Sequence, residues 1–209
     1  MEKPKLIFLG GGGHALSCWD VAHASQQWNI MGYTDHQKKE MPIPYLGLDE
    51  EVNGLISNAD VFFFLGIGHL GNPLLRHKIA HEFNRKQAKW ATLVSPNAYV
   101  SPLATVEEGS IIHHRVVLNA GVSIGKHAII NTGATLEHGS FVGEQTHIST
   151  HVILNGDVHI GNECFIGSGC VGYQQIRIQS GTTIAAGSIL RKSIHTAGVY
   201  GGNPLRKIA

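Results

Sequence analysis

The sequence carries almost no net charge, 16 Lys and Arg against 15 Asp and Glu, or +1 at pH 7. So small a balance excludes a whole-chain electrostatic footprint for nucleic acid or for an anionic membrane surface. Cysteine is scarce as well. Three residues, Cys18, Cys164 and Cys170, do not make a disulfide framework, and a reduced, cytoplasmic setting is expected. Long apolar runs are missing. The longest, Val61–Ile67, is far below the roughly 20 residues that cross a bilayer. No apolar signal core stands behind basic residues at the amino terminus, so no membrane insertion is expected. At 209 residues the chain has room for one or two domains.

What the sequence does have is a period of six. Every sixth residue from Val94 to Leu190 is aliphatic, with Gly172 the one break. Four positions after each aliphatic stands a small or slender residue, as in Ala128, Ala134, Ser140, Thr146, Cys164 and Cys170. Neither a helix nor an ordinary hairpin has this period; a β-solenoid does, each hexad supplying one short strand and one turn. Both columns should face the bore, so Cys164 and Cys170 are expected to pack as small hydrophobes. Gly and Asn recur just after the aliphatic residue, and the 26 glycines are placed by position, not by low complexity. A β-sandwich would show period two and turns every 8–12 residues or so.

Residues 1–92 have another texture. Lys5–Gly10 reads as a strand, followed by Gly10-Gly11-Gly12-Gly13-His14-Ala15 and helical residues to about Trp28. Asn29–Asp35 reads as a second strand, Glu50–Ser57 as helical, Asp60–Gly68 as a buried strand and Pro73–Lys89 as a helix. Strands alternating with helices imply a small parallel sheet of the doubly wound kind. A glycine turn opening a helix offers backbone N–H groups and a helix dipole to a phosphate. It can be read as G-x-G-x-x-A, with Asp35 placed for a ribose. A dehydrogenase is one reading, although the segment is short for two mononucleotide lobes. A plain strand–helix turn without a ligand is the other.

Together the two halves resemble the hexapeptide-repeat sugar acyltransferases: the sialic acid O-acetyltransferases and the N-acetyltransferases of nucleotide-linked 4-amino sugars. The segment Ile130-Asn131-Thr132-Gly133-Ala134-Thr135-Leu136-Glu137-His138 is similar to that family's I-N-T-G-A-x-x-E-H, with His147 nine residues on and Gly202-Asn203-Pro204 near the end. The resemblance implies a Rossmann-like α/β domain (1–92), a left-handed parallel β-helix of three hexads per coil (93–195) and a tail (196–209). It implies a homotrimer using acetyl-CoA without a metal. Its seventeen hexads would make nearly six coils, about 27 Å long.

Site residues follow from the same resemblance. His138 is the implied catalytic base, and His147, Gly156, Ser168 and Ala186 meet acetyl-CoA. The nucleotide sugar lies near Gly12, Gly13, His14, Asp35, Gly66, Gly68 and Asn131. Arg191 and Lys192 are basic residues that could meet the CoA phosphates. The chemistry wants a near-neutral imidazole, because a sugar ammonium must lose a proton before it attacks a thioester. In the family an acid follows this histidine; here Gly139 stands in its place, and restoring the acid by Gly139→Asp is expected to keep or raise activity.

Fourteen histidines invite other readings. Phe141, His159, Arg177 and His195 are eighteen apart and read as a solvated ridge. His113, His114, His127 and His151 read as surface or interface histidines. In a gamma-type carbonic anhydrase, His147 and His151 would hold zinc with a neighbour's His127 or His138. A solenoid that kept its shape and lost catalysis is a further alternative. The amino-terminal domain is expected to cover one open end of the solenoid and the tail the other.

Overall fold

The computed structural model describes residues 2–209; Met1, the first residue of the expected 1–92 domain, lies outside them. The chain opens with three parallel strands, β1 (Lys5–Leu9), β2 (Asn29–Thr34) and β3 (Val61–Leu65), in the order β2-β1-β3. Leu6, Ile7, Phe8 and Leu9 are all fully buried, as a central strand covered on both faces requires. Helix α1 (Gly13–Ser25) buries Ala15, Cys18, Val21 and Ala22, and helix α2 (Leu74–Arg85) buries Arg76, Ala80 and Phe83, spacings of three and four that make one helical stripe. A 3-10 helix spans Asp49–Leu55, overlapping the Glu50–Ser57 stretch expected to be helical and starting one residue before it.

Both helices stop before the sequence pattern does. Gln26 takes a left-handed conformation (φ 55) and its N–H bonds the carbonyl of His23, so α1 ends short of Trp28. Gln87 does the same (φ 61), turning the chain back so that Trp90 bridges Phe63. A three-stranded sheet offers one mononucleotide lobe, which is too little for the two lobes of a dinucleotide-binding dehydrogenase.

From Leu93 the chain winds into a left-handed parallel β-helix of three walls. The first wall carries Leu93–Val94, Ile111–Ile112, Ile129–Ile130, His147–Ile148, Phe165–Ile166 and Thr183–Ile184. The second starts at Tyr99–Val100 and ends at Ile189–Leu190, and the third runs from Thr105–Val106 to Arg177–Ile178. Partners are eighteen residues apart, as in Ile129↔Ile111 and Phe141↔His159. The second residue of each two-residue strand points into the bore: Ile112, Leu118, Ile130, Leu136, Val142 and Ile148 are fully buried in one cluster. At about 1.5–3 kcal/mol per fully buried aliphatic side chain, this column is the main favourable term in the domain. At the break, Leu154 Cδ2 lies 3.1 Å from where a Cβ of Gly172 would stand, so a neighbour fills the space.

The small inward column does more than fit. Ser110 Oγ donates to the carbonyl of Gly125 (2.7 Å), Thr146 Oγ1 to that of Gly161 (2.7 Å), and Cys170 Sγ to that of Ala185 (3.1 Å). Each donates to a turn carbonyl fifteen residues ahead, and the Ala185 carbonyl accepts from Ser188 Oγ as well (2.7 Å).

The amino-terminal domain does not cover an end of the solenoid. It lies along the outer face of the first wall, where Ile111 and Ile129 join Leu6, Phe8 and Phe64 in one core. Apolar outward residues make the first wall a docking face, whereas Val94, Val100 and Val106 of the first coil stay only half-buried. The tail does cover its end: Val199–Gly201 pairs with Thr183–Ile184, Arg206–Lys207 folds back on it, and Tyr200 and Leu205 pack on the core. No helix among the described residues is long and apolar enough to cross a membrane.

Candidate active site

The glycine turn builds a cleft. Leu16 N–H bonds the carbonyl of Gly12, closing the first turn of α1 and leaving the earlier amides of the helix free toward the cleft. The cleft holds about 600 Å3 and brings together Gly12, Gly13, His14, Asp35, Gly66 and Gly68, six of the seven residues expected to meet the sugar nucleotide. Asp35 is partly committed, its Oδ2 accepting from Gly11 N–H at 2.9 Å. The far side consists of residues that no sequence pattern marks: Lys39, Asp49, Lys78, Ile79 and Glu82. Lys78 and Glu82 belong to α2, and only its packing turns them inward. Asp49 accepts a hydrogen bond from Thr34 Oγ1, and burial pushes its carboxyl up.

Under the cleft lies a buried seam between the domains. Arg76, fully buried, donates to the carbonyls of Leu65, Ile67 and His127 and to Gln145 Oε1. His69 Nε2 meets the carbonyl of Gln145 at 2.9 Å, and His147 Nδ1 meets that of His69 at 2.8 Å. With Nδ1–H donating, His147 Nε2 accepts from Asn131 Nδ2 at 3.2 Å, so both ring nitrogens are engaged inside the chain. His113 and His127, expected at the surface, are 1% and 5% exposed, because the amino-terminal domain covers them; Trp90 packs edge-on against His127 at 4.7 Å. The zinc reading thereby loses two donors, one behind Trp90 and one with no free nitrogen.

His14 Nε2, Cys18 Sγ and a ring nitrogen of His113 lie within 4.8 Å of one another. Burial and the nearby Arg76 guanidinium hold the His14 imidazole well below its usual range, and burial pushes the Cys18 thiol up. An arginine held there without a carboxylate works against a cation, so this cluster packs as neutral groups.

The seam makes stability depend on pH. Burial lowers His69, His113, His127 and His147 to about 4 from an ordinary 6.5. A depressed folded-state value means that the unfolded chain binds more protons between pH 4 and 6.5. Stability is therefore full above 6.5 and is lost as pH falls through that window, by several kcal/mol in all. The melting temperature is expected to be level from pH 8 to about 6.5 and to drop steeply toward pH 4. A level Tm down to about pH 4.5 would contradict neutral burial of these rings.

His138 stands elsewhere, on the edge between the second and third walls. It is exposed, and it lines a small cleft with Glu137, Asn155, Gly156, Asp157 and Gln174. The eighteen-residue coil places His138, Gly156, Gln174 and Lys192 in one column on this edge, with Arg191 beside them over Tyr173 (5.8 Å). The ring folds across the next coil: a Cβ on Gly156 would lie 2.5 Å from its Cε1 and Nε2, so glycine there makes the room. Ser168 and Ala186 share the opposite edge of the second wall, and His147 with Asn131 lies at the first wall. One chain does not bring all the residues expected for acetyl-CoA together.

Geometry weighs against the expectation for Gly139→Asp. Gly139 is left-handed (φ 67), and a Cβ there would overlap Oδ1 of Asp157 from the next coil. An acid at 139 would displace one already present. Cys164 and Cys170 are fully buried; burial pushes the Cys164 thiol to about 11 and raises Cys170, which leaves neither fit to act as a nucleophile.

Residues 5–83 match the PglD N-terminal domain family. The fold is similar along nearly its whole length to the acetyltransferase domain of PglB from Neisseria gonorrhoeae (28% identity, 99% of this chain and 100% of that one, TM-score 0.91), which has also been solved with acetyl coenzyme A. It is similar to PerB from Caulobacter crescentus, solved with CoA and GDP-perosamine (25% identity, 98% and 97%, TM-score 0.90). WeeI from Acinetobacter baumannii shares the fold at 21% identity (97% and 99%, TM-score 0.79). With a PglD-type amino-terminal domain and this likeness from end to end, the chain is similar along its whole length to hexapeptide-repeat sugar acetyltransferases.

Proposed function

We propose that this protein transfers the acetyl group of acetyl-CoA to the amine of a nucleotide-linked 4-amino-4,6-dideoxy sugar, on UDP, dTDP or GDP, within the cytoplasmic pool of sugar nucleotides that feeds polysaccharide and glycan synthesis. The observation that carries this reading is the exposed His138 ring seated on Gly156, in a small open cleft on an outer edge. PerB, bound to CoA and GDP-perosamine, supports the substrate class. The amine nitrogen attacks the thioester carbonyl as a ring nitrogen of His138 takes its proton; a C–N bond forms, the C–S bond breaks, and CoA leaves as the thiolate. A fixed backbone N–H on the edge would hold the oxyanion.

The working unit of this proposal is a homotrimer. The phosphate-type cleft belongs to the domain on the first wall, whereas His138 sits across the prism. The second wall, between the two edges, turns Tyr99, Val117, Thr135, Ile153, Val171 and Ile189 outward, apolar but for Thr135, with Tyr99 55% and Ile153 42% exposed. An apolar stripe of this length needs a cover. A second copy on it would bring the edge with Ser168 and Ala186 up to a neighbour's His138, Gly156 and Lys192, and acetyl-CoA would lie between them. His147 would reach it only by giving up Asn131.

The test is CoA release across a panel of nucleotide 4-amino sugars. An acetyl product resistant to hydroxylamine is the amide expected here; a labile one would be the ester of an O-acetyltransferase, the second reading. Absence of CoA release with every amino and hydroxy sugar would favour a binding protein instead.

A further inference from the structure

A buried guanidinium without an ion-pair partner must be held by neutral acceptors, and those of Arg76 divide between the two domains. Its Nη1 donates to the carbonyl of Leu65, at the end of β3, and to that of Ile67 in the loop that follows. Its Nη2 donates to the carbonyl of His127 at 2.7 Å and its Nε to Gln145 Oε1 at 3.1 Å, both on the solenoid. The carbonyl of Gln145 accepts from His69 Nε2, and His147 Nδ1 donates to the carbonyl of His69. The chain from Leu65 to His69 is thus tied to the solenoid at both ends.

This loop is one wall of the larger cleft, lined by Gly66, Ile67 and Gly68. It lies close against the glycine turn. A Cβ on Gly66 would stand 2.8 Å from the carbonyl oxygen of Gly10, and one on Gly68 would stand 3.3 Å from the His14 ring. A trans peptide points its carbonyl and the next N–H in opposite directions. The Leu65 carbonyl is turned to Arg76, so Gly66 N–H points away from it and meets the carbonyl of Leu9 at 2.8 Å. The Ile67 carbonyl is turned to Arg76 as well. Gly68 N–H therefore also points away from the guanidinium, and no acceptor among the described residues takes it.

We propose that Arg76 is a positioning residue for the sugar nucleotide: by holding the Ile67 carbonyl beneath the cleft, it aims the Gly68 N–H into the cleft as a fixed donor to an oxygen of the diphosphate. The inference rests on this cleft being the sugar-nucleotide site. Gly68 then joins the free amides at the start of α1 around one anion. Arginine suits the task because its planar fork reaches acceptors in two directions, which the point charge of a lysine does not.

The test is calorimetric binding of UDP, dTDP and GDP to the full-length protein, with steady-state acetyl transfer beside it. Arg76→Lys should weaken the diphosphate that binds best by about tenfold, the scale on which a misplaced contact group acts. Gln145→Met removes one acceptor of the guanidinium without touching the cleft, and should weaken the same diphosphate by less. In both variants KM for the sugar nucleotide should rise in step, while kcat and KM for acetyl-CoA stay nearly unchanged. A purely structural role would lower Tm and leave the affinity of the folded protein as it was. Folded Arg76→Lys that binds the diphosphate as tightly as the unaltered protein would overturn this inference and leave the acetyl-transfer reading standing. Gln145→Met decides in the same way if Arg76→Lys does not fold. If the unaltered protein binds none of the three diphosphates, the inference and the cleft assignment fall together.

Discussion

His138→Ala should lose about 100- to 10,000-fold in the rate of acetyl transfer, the range a positioned general base contributes. Binding should survive. The ring is exposed, forms no part of the bore and seats on Gly156 only by van der Waals contact, so its removal leaves both core columns intact. The melting temperature should move little, since surface truncations away from packed features stay within about 0.5 kcal/mol. The loss should be greatest at low pH and partly relieved at high pH, where more of the amine is free without help. A variant that keeps full turnover at neutral pH would remove His138 from the chemistry and leave the edge without a base.

The second large effect concerns assembly. Gly12→Leu should fold, because its backbone is extended (φ −81, ψ −174) and an added Cβ meets nothing within 4 Å, yet the side chain would fill the phosphate end of the cleft. Alone it should be nearly inactive, as should His138→Ala. Unfolded and refolded together in equal amounts, they should regain activity. If each site takes its cleft from one subunit and its histidine from the next, about a quarter of the sites in random trimers are whole. If cleft and histidine of the same chain cooperate, mixing restores nothing. The distinction follows from the prism itself, with its docked domain on the first wall and His138 on the edge opposite.

Much of the fold was legible because the stacking period is strict. Partners eighteen residues apart are three hexads apart, so with the three-hexad coil that the resemblance implies, Ile112, Ile130 and Ile148 could be assigned to one wall by counting. The glycine turn was legible for a similar reason, since only a strand–helix junction needs that run of residues. His113 and His127 were misread. Their positions in the repeat are outward, and outward normally means wet, but nothing in the period tells which of three similar walls will be covered by the other domain. The missing acid after His138 was legible as a gap, but that Asp157 of the next coil fills the space over Gly139 was not, because that contact crosses between coils.

The amino-acid sequence by itself determined the stacked hexad solenoid, the helix opened by glycines and the place of His138 at a turn between strands, because each follows from a local period or a local turn; the three-walled coil was what the resemblance implied. Only the tertiary structure decided which wall the amino-terminal domain covers, that Lys78 and Glu82 close the cleft, that four histidines are held neutral in the seam, and that Asp157 lies over Gly139. Those depend on how independent surfaces dock and how side chains cross between coils, and no repeat encodes either.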